Sequence, residues 1–130
     1  MKTYSPKEVS IIVGTLIVSN FESVSVELDE DEWSFVAGAD GELTRIENAN
    51  KLGTATLVLK QSAESNDALS GLAVTGGTFP FVVADKSGKS LHVMPEATIA
   101  KRPMAEYGKE ASDREWTIKG KLSIHNIGGN

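Results

Sequence analysis

Glu115-Trp-Thr-Ile-Lys-Gly-Lys-Leu-Ser-Ile-His125 alternates in the way a strand with one buried face requires. Trp116, Ile118, Leu122 and Ile124 face one side; Thr117, Lys119, Lys121, Ser123 and His125 face the other, and Gly120 marks a bend or bulge. The same period of two recurs upstream. Ser23-Val-Ser-Val-Glu-Leu28 puts Val24, Val26 and Leu28 inward, and Gly53-Thr-Ala-Thr-Leu-Val-Leu-Lys60 does so with Ala55, Leu57 and Leu59. Trp33-Ser-Phe-Val36 reads as a strand returning from the charged turn Asp29-Glu-Asp-Glu32, and Trp33, like Trp116, reads as core. Thr78-Phe-Pro-Phe-Val-Val-Ala84 and Ser90-Leu-His-Val-Met94 flank the hairpin signal Asp85-Lys-Ser-Gly-Lys89, with Pro80 keeping the first near an edge or off a central hydrogen-bonded position.

The remaining segments are less regular. Val9 to Val18 reads as a strand buried on both faces; Ser10, Gly14 and Thr15 interrupt it too often for a membrane helix. Asn20-Phe-Glu22 lacks the small residues of a signal-peptide cleavage site. Ser65 to Val74 is the one helical pattern, with Leu69, Leu72 and Ala73 on one face, Ser65 or Asn66 as N-cap and Gly76-Gly77 as terminator. Glu42 to Gly53 shows no period and reads as a long loop, unusual enough in a compact domain to suggest function. Pro95 to Pro103 reads as a bent extended stretch, followed by a polar loop through Asp113. These elements predict a mainly β fold, an antiparallel β-sandwich or barrel of six to seven strands with one short flanking α-helix and a long inter-strand loop. Residues 1–130 are expected to form a single domain, since no repeat or linker divides them.

Composition narrows the function. The 130 residues carry 13 Lys+Arg against 18 Asp+Glu, a net charge of −5, and no cysteine. The lack of cysteine fits a reducing compartment and removes thiol nucleophiles, disulfides and Cys-based metal sites. An acidic chain is a poor sequence-independent binder of phosphate backbones. Charge is unevenly spread: Glu22 to Glu47 carries −8 and the rest +3, while Lys86 to Lys121 holds eight bases against five acids. Such asymmetry suits head-to-tail association of identical subunits, or simply solvated turns.

Catalytic constellations are missing from the pattern. His92 and His125 fall on separate strands outside any metal-ligand spacing, and no phosphate-binding glycine loop or GxSxG elbow occurs. Asp29-Glu-Asp-Glu32 lacks the spacing and glycine of an EF-hand and reads as a solvated turn or a charged interface loop. The expectation is therefore no enzyme and no cofactor.

Four blocks carry a resemblance: Lys2-Thr-Tyr-Ser-Pro-Lys-Glu-Val-Ser-Ile-Ile-Val-Gly14, Gly41-Glu-Leu-Thr-Arg-Ile-Glu-Asn-Ala-Asn50, the strand-to-helix run Gly53 to Ser70, and Tyr107-Gly-Lys-Glu-Ala-Ser-Asp-Arg-Glu-Trp-Thr-Ile118. In order and spacing they resemble the tail tube proteins of contractile-tailed bacteriophages, whose fold also serves type VI secretion and R-type bacteriocin tubes. The resemblance implies hexameric rings stacked into a hollow tube within a sheath, around a tape-measure protein and upon a baseplate, through which DNA leaves without specific binding. It implies residence in the virion tail, with assembly in the host cytoplasm and no membrane partner. The family's extended loop corresponds to Ala39–Gly53, which makes Asp40, Glu42, Leu43, Arg45, Ile46, Asn48, Asn50 and Lys51 candidates for contact with a neighbouring subunit or ring. Glu22, Ser23, Ser25 and Glu27 are the candidates to line the bore. A tail terminator, or a monomeric β-sandwich binding module with an aromatic pocket, are the alternatives.

Overall fold

The computed structural model describes residues 3–129; Lys2, the first residue of the N-terminal block, lies outside them. The strands are β1 (Val9–Val13), β2 (Leu16–Val18), β3 (Phe21–Leu28), β4 (Trp33–Ala37), β5 (Leu43–Glu47), β6 (Leu52–Leu59), β7 (Phe79–Asp85), β8 (Ser90–Lys101), β9 (Arg114–Lys121) and β10 (Ile124–Asn126), and the helix is α1 (Ser65–Thr75). Eight strands form one antiparallel sheet in the order β2-β1-β7-β8-β9-β6-β3, with β10 pairing the first part of β8; β4 and β5 form a separate two-stranded sheet. The fold is mainly antiparallel β with one short helix, as the alternation predicts, but with ten strands instead of six or seven.

The core comes from the alternating inward positions. Ile11 and Val13 of β1, Ala55, Leu57 and Leu59 of β6, Phe81 and Val83 of β7, Met94 of β8, and Trp116 and Ile118 of β9 form one buried cluster, joined by Leu69 of α1. Val24, Val26 and Leu28 of β3 pack against it, so both ends of the sheet share the same core and the sheet curls around it. Each fully buried aliphatic or aromatic side chain contributes about 1.5–3 kcal/mol. No buried side-chain nitrogen or oxygen among the described residues lacks a hydrogen-bond partner.

Several segments depart from the sequence reading, each for a local reason. Val9 to Val18 is a hairpin: Gly14 adopts φ +63, which turns the chain, and its N–H donates to the Pro80 carbonyl at 2.7 Å. Ile17 on the returning strand is 71% exposed. Pro80 lies in β7, between β1 and β8, at the register shift between Phe79 and Phe81. The extra residue is on β8, where Pro95 and Glu96 lie opposite Pro80, so Pro80 is in an interior strand but off a regular ladder position, one of the two placements expected of it. The stretch read as bent and extended from Pro95 is the second half of β8; it pairs β9 through Ala97, Thr98 and Ile99, and its irregularity is seen in the register shifts at Pro95–Glu96 and between Ile99 and Lys101.

The last strand breaks after Lys121, one residue beyond Gly120. Leu122 donates its N–H to Lys51 O and Ser123 to Val93 O, so the chain passes from β6 to β8 at this point. Gly120 stays in register opposite Gly53 and Ala97, and its missing side chain admits Ala97, whose Cα would lie 3.0 Å from a Cβ there. Beyond the break, Ile124 is exposed instead of continuing the buried row.

Helix α1 is present and ends where the glycines predict, with Gly76 at φ 67 and its N–H on Leu72 O. The expected side-chain cap is absent: Glu64 occupies the cap position without a capping bond. Asn66 is committed elsewhere, donating through Nδ2 to Lys60 O (2.9 Å) and Gln61 O (3.3 Å) and accepting from Trp116 Nε1 at 2.9 Å. No helix among the described residues is long and apolar enough to cross a membrane.

Candidate assembly site on the projecting arm and the outer sheet face

The segment read as an aperiodic loop is half of a β-arm. β5 pairs β4 from Trp33↔Glu47 to Ala37↔Leu43. The tip closes through Gly38 N–H on Glu42 O (2.7 Å), Gly41 N–H on Gly38 O (3.0 Å) and Glu42 N–H on Asp40 Oδ1 (3.1 Å); Gly41 takes φ +86, which favours glycine. In Glu42 to Gly53 one strand pairs only with the strand before it, so its apolar residues follow neither core period.

All ten residues of β4 and β5 are exposed. Phe35 is 64% exposed, Leu43 65% and Val36 53%, with Trp33 and Ile46 also on the surface. Trp33 is thus not a core residue: the Arg45 guanidinium stacks on its ring, with Cζ 3.4 Å from the centroid. An exposed contact of this kind contributes about 0.5–1 kcal/mol. Trp116, by contrast, is buried as expected.

The acidic run forms the root of the arm. Glu30 Oε2 accepts from Asn48 Nδ2 (3.0 Å) and Asn50 Nδ2 (3.1 Å), and Asn48 Nδ2 also reaches Asp31 O at 3.1 Å. Asn48 Oδ1 takes the Asn50 N–H, and Asn50 Oδ1 takes the Leu52 N–H. Glu32 pairs with Lys51 at 3.8 Å and Asp29 with Lys119 at 3.4 Å; Asp29 also accepts from Thr54 Oγ1. These carboxylates hold the arm to the sheet, and no group of three or more potential ligands among the described residues could hold a metal ion. Asp40, Glu42, Leu43, Arg45, Ile46, Asn48, Asn50 and Lys51 are therefore gathered on one arm, from tip to root.

The second set lies on the outer face of the sheet. Ser23, Ser25 and Glu27 are exposed on β3, paired with Val58, Thr56 and Thr54 of β6, which in turn oppose Glu115, Thr117 and Lys119 of β9. Glu22 sits at the register shift before them, 3.5 Å from Lys60. The face is rich in hydroxyls and mildly acidic, with Glu22, Glu27, Asp29 and Glu115 set against Lys60 and Lys119. Part of the acidic–basic asymmetry of the chain is spent within the subunit, since Asp29 neutralises Lys119 of the same face.

Two further features had weak sequence signals. His92 and His125 meet as cross-strand partners, with Nδ1 atoms 2.8 Å apart; only the pairing of β10 with β8 reveals this. A cleft of about 370 Å³ beside Trp116 is lined in part by Arg102, Met104, Tyr107 and Arg114. Its Arg114 acts as a strut, donating to Ser112 Oγ (2.7 Å) and Glu106 O (3.1 Å).

A curled antiparallel sheet with one helix is a fold shared with virus-like tail and injection tubes. The structure matches a chain from the tail of an empty gene transfer agent particle refined with C6 symmetry, at a TM-score of 0.70, 12% identity, and coverage of 95% of this chain and 100% of that one. It also matches a chain from the sheath/tube terminator of an extracellular contractile injection system in the extended state, at a TM-score of 0.65, 14% identity, and coverage of 98% and 99%. The chain belongs to the family of structural protein ORF10 of Pseudomonas phage KPP10, with 34% identity over 144 aligned positions spanning 98% of this chain and 83% of that protein. No family model matches. The chain is thus a phage structural protein with the fold of tail tubes and tube terminators.

Proposed function

We propose that the chain is a non-enzymatic tail tube subunit that assembles into hexameric rings stacked as a hollow tube. A contractile sheath surrounds the tube, a tape-measure protein and baseplate template it, and DNA passes through its bore without specific binding. It acts in the virion tail after assembly in the host cytoplasm. The observation that carries this reading is the β4–β5 arm, a two-stranded element with Trp33, Phe35, Val36, Leu43 and Ile46 all exposed. An isolated hairpin is marginal in water, and exposed apolar residues in such a cluster mark a contact surface. A neighbouring subunit supplies the cover. The sheet also ends in two edges, β2 and β3, that adjacent subunits are suited to flank. The C6 symmetry of the gene transfer agent tail supports a ring of six. The hydroxyl-rich outer face suits a bore wall that does not retain phosphate.

A terminator role is the second reading, favoured by the likeness to the injection-system terminator chain. Negative-stain electron microscopy with mass analysis across a concentration series separates the two. Long hollow tubes support the tube subunit; rings that never stack, at any concentration, assign the terminator role. A monodisperse monomer throughout overturns self-assembly.

A further inference from the structure

We propose that His92 and His125 form an acid-released clasp that fastens the C-terminal strand β10 to β8. The two residues are direct partners across these strands, with Nδ1 atoms 2.8 Å apart and ring centroids 4.7 Å apart at 49°. A contact of that length between two imidazole nitrogens needs one N–H and one lone pair. It forms when both rings are neutral, one as the Nδ1–H tautomer and the other as Nε2–H, and it survives a single added proton. A second proton leaves two donors and two positive charges facing each other, and the contact becomes repulsive.

The surroundings do little to hold a doubly charged pair. On the side of His92 the adjoining groove presents Tyr4, Glu22 and Asp85. Glu22 is paired with Lys60, and Asp85 accepts from Ser87 N and Oγ. On the side of His125 the groove presents Glu32, Lys51 and Lys121, and Glu32 is paired with Lys51. Burial pushes the His92 pKa below its ordinary 6.5, and the neighbouring His125 pushes the same way. The folded form therefore binds protons more weakly than the freed strand, so stability contributed by the clasp falls as pH drops below about 6.5. Besides its short ladder with β8, which pairs Ile124 with Val93 and Asn126 with Leu91, the three-residue β10 is held by Ser123 N–H (2.9 Å) and Oγ (3.3 Å) on Val93 O, Asn126 Nδ2 on Lys89 O (3.1 Å) and Gly128 N–H on Ser90 Oγ (2.8 Å).

Hydrogen exchange of the purified protein tests the clasp, read as protection factors corrected for the intrinsic pH dependence of exchange. Between about pH 7.5 and about pH 5, across the histidine titration, protection of residues 124–128 is expected to fall about tenfold while β6 and β9 keep theirs. In the paired substitution His92→Gln with His125→Gln, whose amides do not titrate, the fall is expected to vanish. Wild-type protection that ignores pH, or an unchanged fall in the paired variant, overturns the proposal. Imidazole nitrogen NMR of the wild type gives an independent check if that variant does not fold. One Nδ1–H and one Nε2–H tautomer are expected at neutral pH, and two Nε2–H tautomers would refute the clasp.

Discussion

Asn66 does more than its place at a helix start implies. Its amide spans three parts of the molecule, donating to the carbonyls of Lys60 and Gln61 and accepting from the buried indole of Trp116. A residue of this type before an apolar helical face reads as a cap, because Asn favours that position. The structure instead spends it on a partner fifty residues away in sequence, since an indole N–H buried without an acceptor is costly. Asn66→Ala is accordingly expected to destabilise the fold by about 1–3 kcal/mol, measured by urea unfolding. A change below about 0.5 kcal/mol would show that water replaces the acceptor without loss. Trp33 teaches the same lesson in reverse. Its spacing matches a core strand, yet its ring lies on the surface under Arg45, because β4 pairs only with β5 and the sheet never covers it.

Among the elements, the arm stands apart from the rest of the fold. It contributes no residue to the buried core cluster, and its root is fixed by polar contacts from Glu30, Asn48, Asn50 and Lys51. Charging its apolar surface should spare the fold and weaken association. For Leu43→Asp, and for Phe35→Asp separately, we expect an unfolding free energy within about 0.5 kcal/mol of wild type. Sedimentation should show the assembled species shifting to monomer. Variants that assemble as well as wild type would remove the arm from the subunit contact. The element was half legible beforehand. The charged turn Asp29 to Glu32 and the strand that leaves it at Trp33 were readable from the pattern, and both are present. Its second strand was hidden, because the alternation that signals a strand depends on one face being buried, and here neither face is.

Taken whole, the molecule presents two surfaces of different chemistry, an apolar arm and a hydroxyl-rich outer sheet face. If that face lines the bore, its few carboxylates repel passing phosphate. Glu22→Gln together with Glu27→Gln would leave Lys60 without its ion-pair partner. Such tubes are expected to assemble normally and to retain DNA at low salt, measured by co-sedimentation, with the retention lost as salt rises. Unchanged DNA association would take Glu22 and Glu27 off the bore wall. Local pattern alone sufficed for the fold class, the inward rows of β3, β6 and β9, the helix and its glycine stop. Each of these follows from local periodicity or from the backbone freedom of glycine, which need no knowledge of neighbours. The hairpin at Gly14, the bulge opposite Pro80, the pairing of β4 with β5 and the meeting of His92 with His125 emerged only from the folded chain. The physical reason is common to all four: each depends on which strand lies alongside rather than on any pattern within the strand, and that neighbour is set by closing the shared core in the main sheet and by the turn at Gly38–Gly41 in the arm.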